Sequence, residues 1–311
     1  MKPDILLIEP MMPEVEARLD AAYNVHRLFQ ASDRAALITE IGPSIRAVVT
    51  GGAHGASNEI VDALPALEII AINGIGTDAV DLERARARAV RVTTTPDVLT
   101  DDVADLAIGL MIATSRRICV ADRFVRSGQW PRAHLPLSVK VSGKRIGIFG
   151  LGHVGRAVAR RAEGFGMAIA YTDRHPADVA YRFVAALEDL ARESDFLVIA
   201  ASGGPATHGI VNRPVLDALG SSGILINVAR GSVVDEPALV AALAEGRLGG
   251  AGLDVFAREP DAPPALWTMD NVVLQPHRAS ATIETRRAMA DLVLANLAAH
   301  FAGQEPLTPV V

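Results

Sequence analysis

The chain has 311 residues, half of them hydrophobic, which is enough for two domains because a single hydrophobic core rarely serves more than about 250–300 residues. The formal net charge is −6 with acidic and basic residues interspersed, which excludes the basic surface that nucleic-acid binding requires. The apolar run Ile5–Ile8 is too short for a membrane span or a signal-peptide core, and the single cysteine, Cys119, excludes an internal disulfide. We therefore expect a cytoplasmic protein with no nucleic-acid or membrane partner.

Residues 1–95 alternate short apolar runs with helical patterns. Buried strands are predicted at Ile5–Ile8, Ala47–Thr50 and Leu67–Ala71, with helices near 13–21, 32–40 and 57–63. This alternation predicts a parallel sheet with helices on both faces.

The longest helical pattern covers residues 98–127. Its apolar residues recur at helical spacing on one face, which includes Leu110, Met111 and Ile118. Acidic residues lie near the start and arginines near the end, the polarity that the helix dipole favours. Since this face is larger than one small sheet can cover, we expect it to contact a second subunit and to form a homodimer.

From Lys144 the alternation resumes, with strands predicted near 145–149, 168–172, 196–200, 223–228, 250–254 and 271–275. Six strands with intervening helices predict an α/β fold, the Rossmann-type doubly wound parallel sheet that binds dinucleotides. We predict that this cofactor domain covers residues 96–282, including the long dimerisation helix. A smaller flavodoxin-like α/β substrate domain is predicted to comprise residues 1–95 and 283–311, with the helix Glu284–Phe301 returning to complete it.

The run Gly150-Leu151-Gly152-His153-Val154-Gly155 fits G-x-G-x-x-G between a predicted strand and a predicted helix. Such glycines allow a tight turn, close approach of a pyrophosphate and packing of the helix on the sheet. Asp173 ends the next predicted strand, where a carboxylate can accept hydrogen bonds from the adenosine ribose. Its charge favours NAD over NADP, although Arg174 and His175 could attract the 2′-phosphate of NADP.

A second glycine motif, Gly74-Ile75-Gly76-Thr77-Asp78-Ala79, also follows a predicted strand. The helix after it is short, and Asp97 follows Pro96 instead of ending a strand, so a second nucleotide site is not favoured. We expect this turn to present backbone amides to a smaller anion such as a carboxylate.

Three polar residues stand at or beyond the carboxyl ends of predicted strands, where ligands bind in open α/β sheets: Arg230, Glu259 and His277. Singly, each could be an ordinary surface or loop residue. Together they match hydride transfer to a 2-oxo acid. Histidine can protonate the carbonyl oxygen, a carboxylate can orient the imidazole, and arginine can bind the substrate carboxylate. No metal site is predicted.

Five motifs in register resemble the D-2-hydroxyacid dehydrogenases: Gly74–Asp78, Gly150–Gly155, Asn227–Gly231 with Val233–Glu236, Gly252–Phe256 with Glu259-Pro260, and Pro276-His277. The order and spacing fit from about residue 45 to the C-terminus. Within the family, three further runs look most like the hydroxyphenylpyruvate and glyoxylate/hydroxypyruvate reductases: Thr95–Ala107, Arg247–Gly252 and Leu307–Val311.

The resemblance implies a role for each matching residue. His277 would be the general acid/base, Glu259 its partner, and Arg230 the cation that orients the substrate. The implied cofactor contacts are Thr100, Gly150, Gly152, His153, Val154, Gly155, Asp173, Arg174, Val228, Ala229, Arg230, Asp254, His277 and Ala279. The predicted substrate contacts are Gly52, Ala53, Gly74, Ile75, Gly76, Arg230 and His277.

The implied activity is reduction of a small 2-oxo acid by NADH or NADPH to the D-2-hydroxy acid. Glyoxylate and hydroxypyruvate are the leading substrates, with an arylpyruvate behind them. The turn Thr50–Gly55, which includes His54, is expected to line the pocket for the substrate side chain. The resemblance also implies a dimer through the cofactor domain.

One departure concerns the cofactor, and one rival concerns the function. The reductases often carry a serine or another neutral residue where this chain has Asp173, and often prefer NADPH. Tyr171–His175 is instead similar to the NAD-dependent formate dehydrogenases, whose longer N-terminus and asparagine motif this chain lacks. The rival function is that of the NAD-sensing transcriptional corepressors, which resemble the same family.

Overall fold

The computed structural model describes residues 2–311. The chain separates into two compact units, one of Met1–Leu99 with Ala281–Val311 and the other of Thr100–Ser280. We call them the discontinuous unit and the central unit.

The discontinuous unit is built on a five-stranded parallel sheet in the order β2-β1-β3-β4-β5. This is the flavodoxin-like strand order. Its strands are β1 (Asp4–Leu7), β2 (Asn24–Arg27), β3 (Ile45–Gly51), β4 (Ile69–Asn73) and β5 (Arg91–Thr93). The three apolar strands predicted from sequence are the central ones. The two edge strands β2 and β5 were missed because they are short and polar, and an edge strand need not be apolar on both faces.

The helices of this unit are α1 (Pro13–Ala22), α2 (Arg34–Ile41), α3 (Asn58–Asp62), α4 (Leu82–Ala87) and α11 (Ile283–Phe301). Side chains of Asp33, Ser57 and Asp81 accept hydrogen bonds from the first turns of α2, α3 and α4, which fixes where these helices begin. Val293 and Leu297 of α11 pack with core residues of β1 and β3. The C-terminal helix α11 therefore packs on the same sheet that contains the N-terminal strand β1.

The central unit has a seven-stranded parallel sheet in the order β12-β11-β10-β9-β6-β7-β8. Its strands are β6 (Arg145–Phe149), β7 (Ala168–Thr172), β8 (Arg182–Phe183), β9 (Phe196–Ile199), β10 (Ile224–Asn227), β11 (Gly250–Leu253) and β12 (Val272–Leu274). Six of them are the predicted strands, and β8 is a two-residue edge strand. The strand order reverses beside β6, which places the ligand crevice of a doubly wound sheet at the carboxyl end of β6.

The helices of the central unit are α5 (Thr100–Ser115), α6 (Ile118–Arg126), α7 (His153–Glu163), α8 (Leu187–Arg192), α9 (Arg213–Leu219) and α10 (Glu236–Ala244). No helix among residues 2–311 is both long enough and apolar enough to cross a membrane.

The single helix predicted over residues 98–127 is wrong. The chain breaks between α5 and α6, where Arg117 adopts a left-handed backbone with φ 49° and the Ser115 hydroxyl donates to the Met111 carbonyl at 2.7 Å. Leu110 and Met111 are buried within the unit, and a side-chain carbon built on Gly252 of β11 would lie 3.0 Å from Leu110 Cβ. The α5 face predicted to contact a second subunit therefore covers the unit's own sheet. Apolar spacing persists across the break, so periodicity alone could not reveal it.

Candidate active site

The glycine motif forms the turn between β6 and α7, and its three glycines have three different surroundings. Gly150 has φ 92°, and a side chain there would meet the backbone of Ala201 at 2.5 Å. A side chain at Gly155 would overlap the Gly150 carbonyl, so this glycine lets α7 pack on the turn. No atom lies within 4 Å of a carbon built on Gly152, which leaves open space at the helix N-terminus. This is the division of roles that a pyrophosphate-binding turn requires.

Asp173 follows β7 and is bonded to the same turn. Its Oδ2 accepts a hydrogen bond from the Leu151 N–H at 2.8 Å, and its Oδ1 accepts one from the Arg174 N–H at 2.7 Å. Each carboxylate oxygen has a second lone pair, so the group can still accept hydrogen bonds from ribose hydroxyls. Arg174 is exposed beside it. His153 and Val154 are the first residues of α7, after Gly152.

Arg230 lies in a turn that a buried asparagine organises. Asn227, the last residue of β10, accepts a hydrogen bond from the Ala229 N–H at 3.1 Å and donates one to the Arg230 carbonyl at 2.9 Å. Val228 and Ala229 form the turn, and the Arg230 guanidinium donates to the Ala229 carbonyl at 2.7 Å. A side chain on Gly231 would overlap the Phe256 carbonyl, which shows how closely this turn packs on the segment leading to Glu259.

Asp254 organises the loop that carries His277. The carboxylate is fully buried after β11 and accepts hydrogen bonds from the Arg278 N–H at 2.7 Å and the Ala279 N–H at 2.9 Å. The His277 N–H donates to the Asp254 carbonyl at 2.8 Å, and His277 itself has a left-handed backbone with φ 51°. Burial raises the pKa of Asp254, although the two N–H donors oppose the shift.

Glu259 and His277 form a direct pair, with 2.5 Å between Glu259 Oε2 and His277 Nδ1. The other Glu259 oxygen, Oε1, accepts from the Phe256 N–H at 3.1 Å. Burial opposes ionisation of Glu259, but the hydrogen bond and charge of His277, the Phe256 N–H and the charge of Arg230 outweigh it. The pKa of Glu259 is therefore lowered. The central unit thus brings together Arg230, Glu259 and His277, and the pair leaves His277 Nε2 as the ring nitrogen that can exchange a proton with a ligand.

Thr100, the first residue of α5, has a buried hydroxyl with no hydrogen-bond partner among residues 2–311. A buried unpaired hydroxyl is costly unless a ligand or water completes it. This hydroxyl, the open space at Gly152 and the Asp173 carboxylate are the features of the central unit that could hold a dinucleotide.

The predicted substrate contacts outside the central unit lie on two adjacent turns of the discontinuous unit. Gly52 and Ala53 follow β3, and Gly74, Ile75 and Gly76 follow β4. A carbon built on Gly52 would lie 3.2 Å from the Gly76 carbonyl oxygen, so the two turns touch. Ile75 is 44% exposed, which leaves the tip of its turn accessible to a ligand.

Sequence reasoning did not identify the supporting residues of the site. It named Asp254 as a cofactor contact but not as the acceptor of the Arg278 and Ala279 N–H groups, and it assigned no role to the Asn227 side chain. The sequence signal that could have identified them is a polar residue at the end of an apolar strand, since Asn227 ends β10 and Asp254 directly follows β11. Both residues are almost fully buried in the structure, where a polar group needs hydrogen-bond partners.

Comparisons with known proteins show which family the chain is related to. Residues 108–279, which lie inside the central unit, match the family described as D-isomer specific 2-hydroxyacid dehydrogenase, NAD binding domain. The chain is 51% identical over 308 residues to the hydroxyphenylpyruvate reductase of Plectranthus scutellarioides, covering 99% of this chain and 98% of that protein. It is 47% identical over 311 residues to the 2-ketogluconate reductase of Gluconobacter oxydans, covering 100% and 99%.

A solved structure is also similar along the whole chain. It is the NADPH-dependent glyoxylate/hydroxypyruvate reductase of Sinorhizobium meliloti in complex with NADP and malonate. The TM-score is 0.94 at 44% identity, covering 100% of this chain and 97% of that one.

Proposed function

The chain belongs to the D-isomer-specific 2-hydroxyacid dehydrogenase family, and from this membership we propose that it reduces a small 2-oxo acid to the D-2-hydroxy acid. The relatives named above act, by their names, on hydroxyphenylpyruvate, 2-ketogluconate, or glyoxylate and hydroxypyruvate, all of which share the 2-oxo acid group. All three are reductases, so nothing among them favours the alternative of an NAD-sensing corepressor.

The Glu259–His277 pair beside Arg230 is the observation that carries this proposal. NADH or NADPH, bound with its pyrophosphate at the glycine turn, would supply the hydride for the new C–H bond at the keto carbon. His277 Nε2 gives its proton to the carbonyl oxygen, and the imidazole then takes a proton from solvent. Ionised Glu259 holds Nδ1 and stabilises the imidazolium that the reduction needs. Arg230 binds the substrate carboxylate or polarises the carbonyl.

The two units are proposed to bind different ligands, one the cofactor and the other the substrate. The central unit, predicted from sequence as residues 96–282, would hold the cofactor. The discontinuous unit, predicted as residues 1–95 and 283–311, would hold the substrate carboxylate on the backbone amides of Ile75 and Gly76. The Asp173 carboxylate, bonded to the glycine turn, would repel the 2′-phosphate of NADP, and this charge supports NAD as the proposed preference.

We propose that the protein is a homodimer in the cytoplasm. The proposed subunit contact is α6, not the α5 face that the sequence predicted. Ile118 and Val125 of α6 are 49% and 52% exposed, and α6 buries none of its residues in its own chain. The lone Cys119 cannot form an internal disulfide, which favours a reducing compartment.

Turnover of a panel of 2-oxo acids with NADH, followed by loss of the reduced-nicotinamide absorbance, tests the proposed reaction. His277→Ala should lower kcat by about 10²- to 10⁴-fold, the usual contribution of a general acid, and leave NADH binding intact. His26→Ala is the matched control, because His26 pairs with Asp4 at 2.8 Å in a carboxylate–imidazole pair that has no proposed role. A near-normal rate in His277→Ala would refute the assignment of the proton donor.

A further inference from the structure

Another carboxylate–imidazole pair, Glu9 with His54, lies at the carboxyl edge of the sheet in the discontinuous unit. Glu9 follows β1, and His54 follows the adjacent strand β3. His54 Nδ1 contacts Glu9 Oε2. The His54 side chain is 66% exposed and the Glu9 side chain 25%, so the imidazole is presented outward on a more buried acid.

The backbone around His54 is shaped to hold this pair. A side chain on Gly51 would overlap the Glu9 carboxylate, so glycine at this position makes the room that Glu9 occupies. The Thr50 hydroxyl donates to the Gly55 carbonyl at 2.6 Å, and the Gly55 N–H donates to the Gly51 carbonyl at 2.9 Å. These bonds close the turn that carries His54.

The same turn touches the loop proposed to hold the substrate carboxylate. A carbon built on Gly52 would lie 3.2 Å from the Gly76 carbonyl oxygen and 3.4 Å from the Gly76 nitrogen. A carbon built on Gly74 would lie 3.2 Å from the Gly52 nitrogen. A substrate whose carboxylate is held by Ile75 and Gly76 would therefore lie next to the turn that carries His54.

We propose, on the basis of the proposed function, that His54 hydrogen-bonds a hydroxyl group on carbon 3 of the substrate and that Glu9 is the residue that positions its ring. The substrate class is then the 3-hydroxy-2-oxo acids, of which hydroxypyruvate is the smallest. Glyoxylate, which has no carbon 3, and pyruvate, which has a methyl group there, cannot make this bond.

The chemistry of the pair selects a hydroxyl over other groups. With Nδ1–H donated to Glu9, Nε2 accepts a hydrogen bond when the ring is neutral and donates one when it is protonated. A hydroxyl can do either, so it matches both states. With ionised Glu9, the pair has a net charge of −1 when the ring is neutral and zero when it is protonated, so it does not attract a second carboxylate. An apolar substrate side chain would leave the imidazole without a hydrogen-bond partner.

The test compares kcat/KM for hydroxypyruvate, pyruvate and glyoxylate in the full-length protein. His54→Ala should lower the value for hydroxypyruvate about tenfold, a loss of about 1.4 kcal/mol, and change the values for pyruvate and glyoxylate by less than about twofold. Glu9→Gln should lower the preference for hydroxypyruvate over pyruvate by a smaller factor. The double variant should show the same preference as His54→Ala alone, because Glu9 acts through His54.

His26→Ala is the control, since it removes an imidazole–carboxylate pair from the same unit and should leave all three values unchanged. Equal losses on all three substrates in His54→Ala, or no loss on hydroxypyruvate, would overturn the inference while the proposed reaction stands. Absence of turnover with every 2-oxo acid in the unsubstituted protein would instead refute the proposed function itself.

Discussion

Asp254 and Glu259 are two carboxylates of one site whose pKa values are shifted in opposite directions. Burial dominates at Asp254 and raises its pKa, whereas His277 and the other partners of Glu259 overcome burial and lower its pKa. Glu259 is thus ionised wherever a histidine titrates, as an acid that stabilises an imidazolium must be. Asp254 is instead a structural acceptor for two backbone N–H groups.

Glu259→Gln should move the alkaline limb of the reductive rate to lower pH. Reduction requires protonated His277, and the substitution removes the adjacent negative charge that stabilises the protonated ring. The measurement is kcat/KM against pH for reduction, with NADH affinity as the control that should remain nearly constant. An unmoved limb would show that the pair does not govern protonation of His277.

The same residue predicts a pH effect on stability. Because folding lowers the pKa of Glu259, its carboxylate stabilises the folded state above the ordinary glutamate pKa, and this contribution is lost as pH falls through the lower folded value. Denaturant unfolding of the unsubstituted protein and Glu259→Gln at neutral and acidic pH should therefore show a stability difference that shrinks as the pH falls.

Asp173→Ser should shift catalytic efficiency from NADH toward NADPH by about tenfold or more, since one charge-assisted hydrogen bond contributes about 1.5–3 kcal/mol. Asp173 also accepts a hydrogen bond from the Leu151 N–H of the glycine turn. Asp173→Asn keeps an acceptor for that N–H and removes the charge, so improved use of NADPH by both variants would assign the preference to charge. A preference for NADPH in the unsubstituted protein would refute the role of Asp173.

The break between α5 and α6 changes which element can form a subunit contact. α5 packs eight buried residues within its own unit, whereas α6 buries none and exposes Ile118 and Val125. The left-handed backbone of Arg117 separates the two helices, so α6 is an element distinct from α5.

Val125→Asp combined with Ile118→Asp should yield monomers with nearly unchanged thermal stability. The new carboxylates are exposed to water in the monomer and would be buried without a partner only in the dimer interface, where their burial is costly. Light scattering together with thermal unfolding measures both. Leu110→Asp is the comparison and should instead destabilise the fold, since Leu110 is 2% exposed within its own unit. A dimer that survives both substitutions on α6 would exclude this helix from the contact.

At the scale of the whole molecule, the chain ends complete the discontinuous unit. The C-terminal residues pair with β5 through an antiparallel bridge between Thr93 and Pro309. Thr308 makes three hydrogen bonds to two residues, Thr94 and Asn296. Its hydroxyl donates to the Thr94 carbonyl at 2.6 Å and accepts from Asn296 Nδ2 at 2.8 Å, and its N–H donates to Asn296 Oδ1 at 3.1 Å.

Thr308→Val should destabilise the protein by about 1–3 kcal/mol, because it keeps the shape but leaves the buried Asn296 amide without its acceptor. Thr39→Val is the matched control, since the Thr39 hydroxyl donates to a carbonyl of its own exposed helix. Denaturant unfolding measures both. Equal effects in the two variants would show that the C-terminal tail contributes little to the unit.

Much of this protein was predictable from short-range sequence features. The apolar runs of the central strands and the glycine spacing at 150–155 depend on neighbouring residues, and they predicted the α/β fold and the dinucleotide turn before any contact was known. The positions of Arg230, Glu259 and His277 at the carboxyl ends of predicted strands identified them as candidates, and the family motifs implied a role for each. The structure places these three in one unit, and their catalytic role remains a prediction.

Only the tertiary structure decided the features that depend on residues distant in sequence. The edge strands β2, β5 and β8 exist because a neighbouring strand pairs with them, and the end of α5 depends on one backbone conformation that apolar spacing does not record. Asp254 reaches Arg278 and Ala279, and Glu9 meets His54, because parallel strands bring their carboxyl ends to one edge of a sheet. Local pattern determines which elements form, whereas hydrogen bonds and ion pairs across long loops determine which side chains meet.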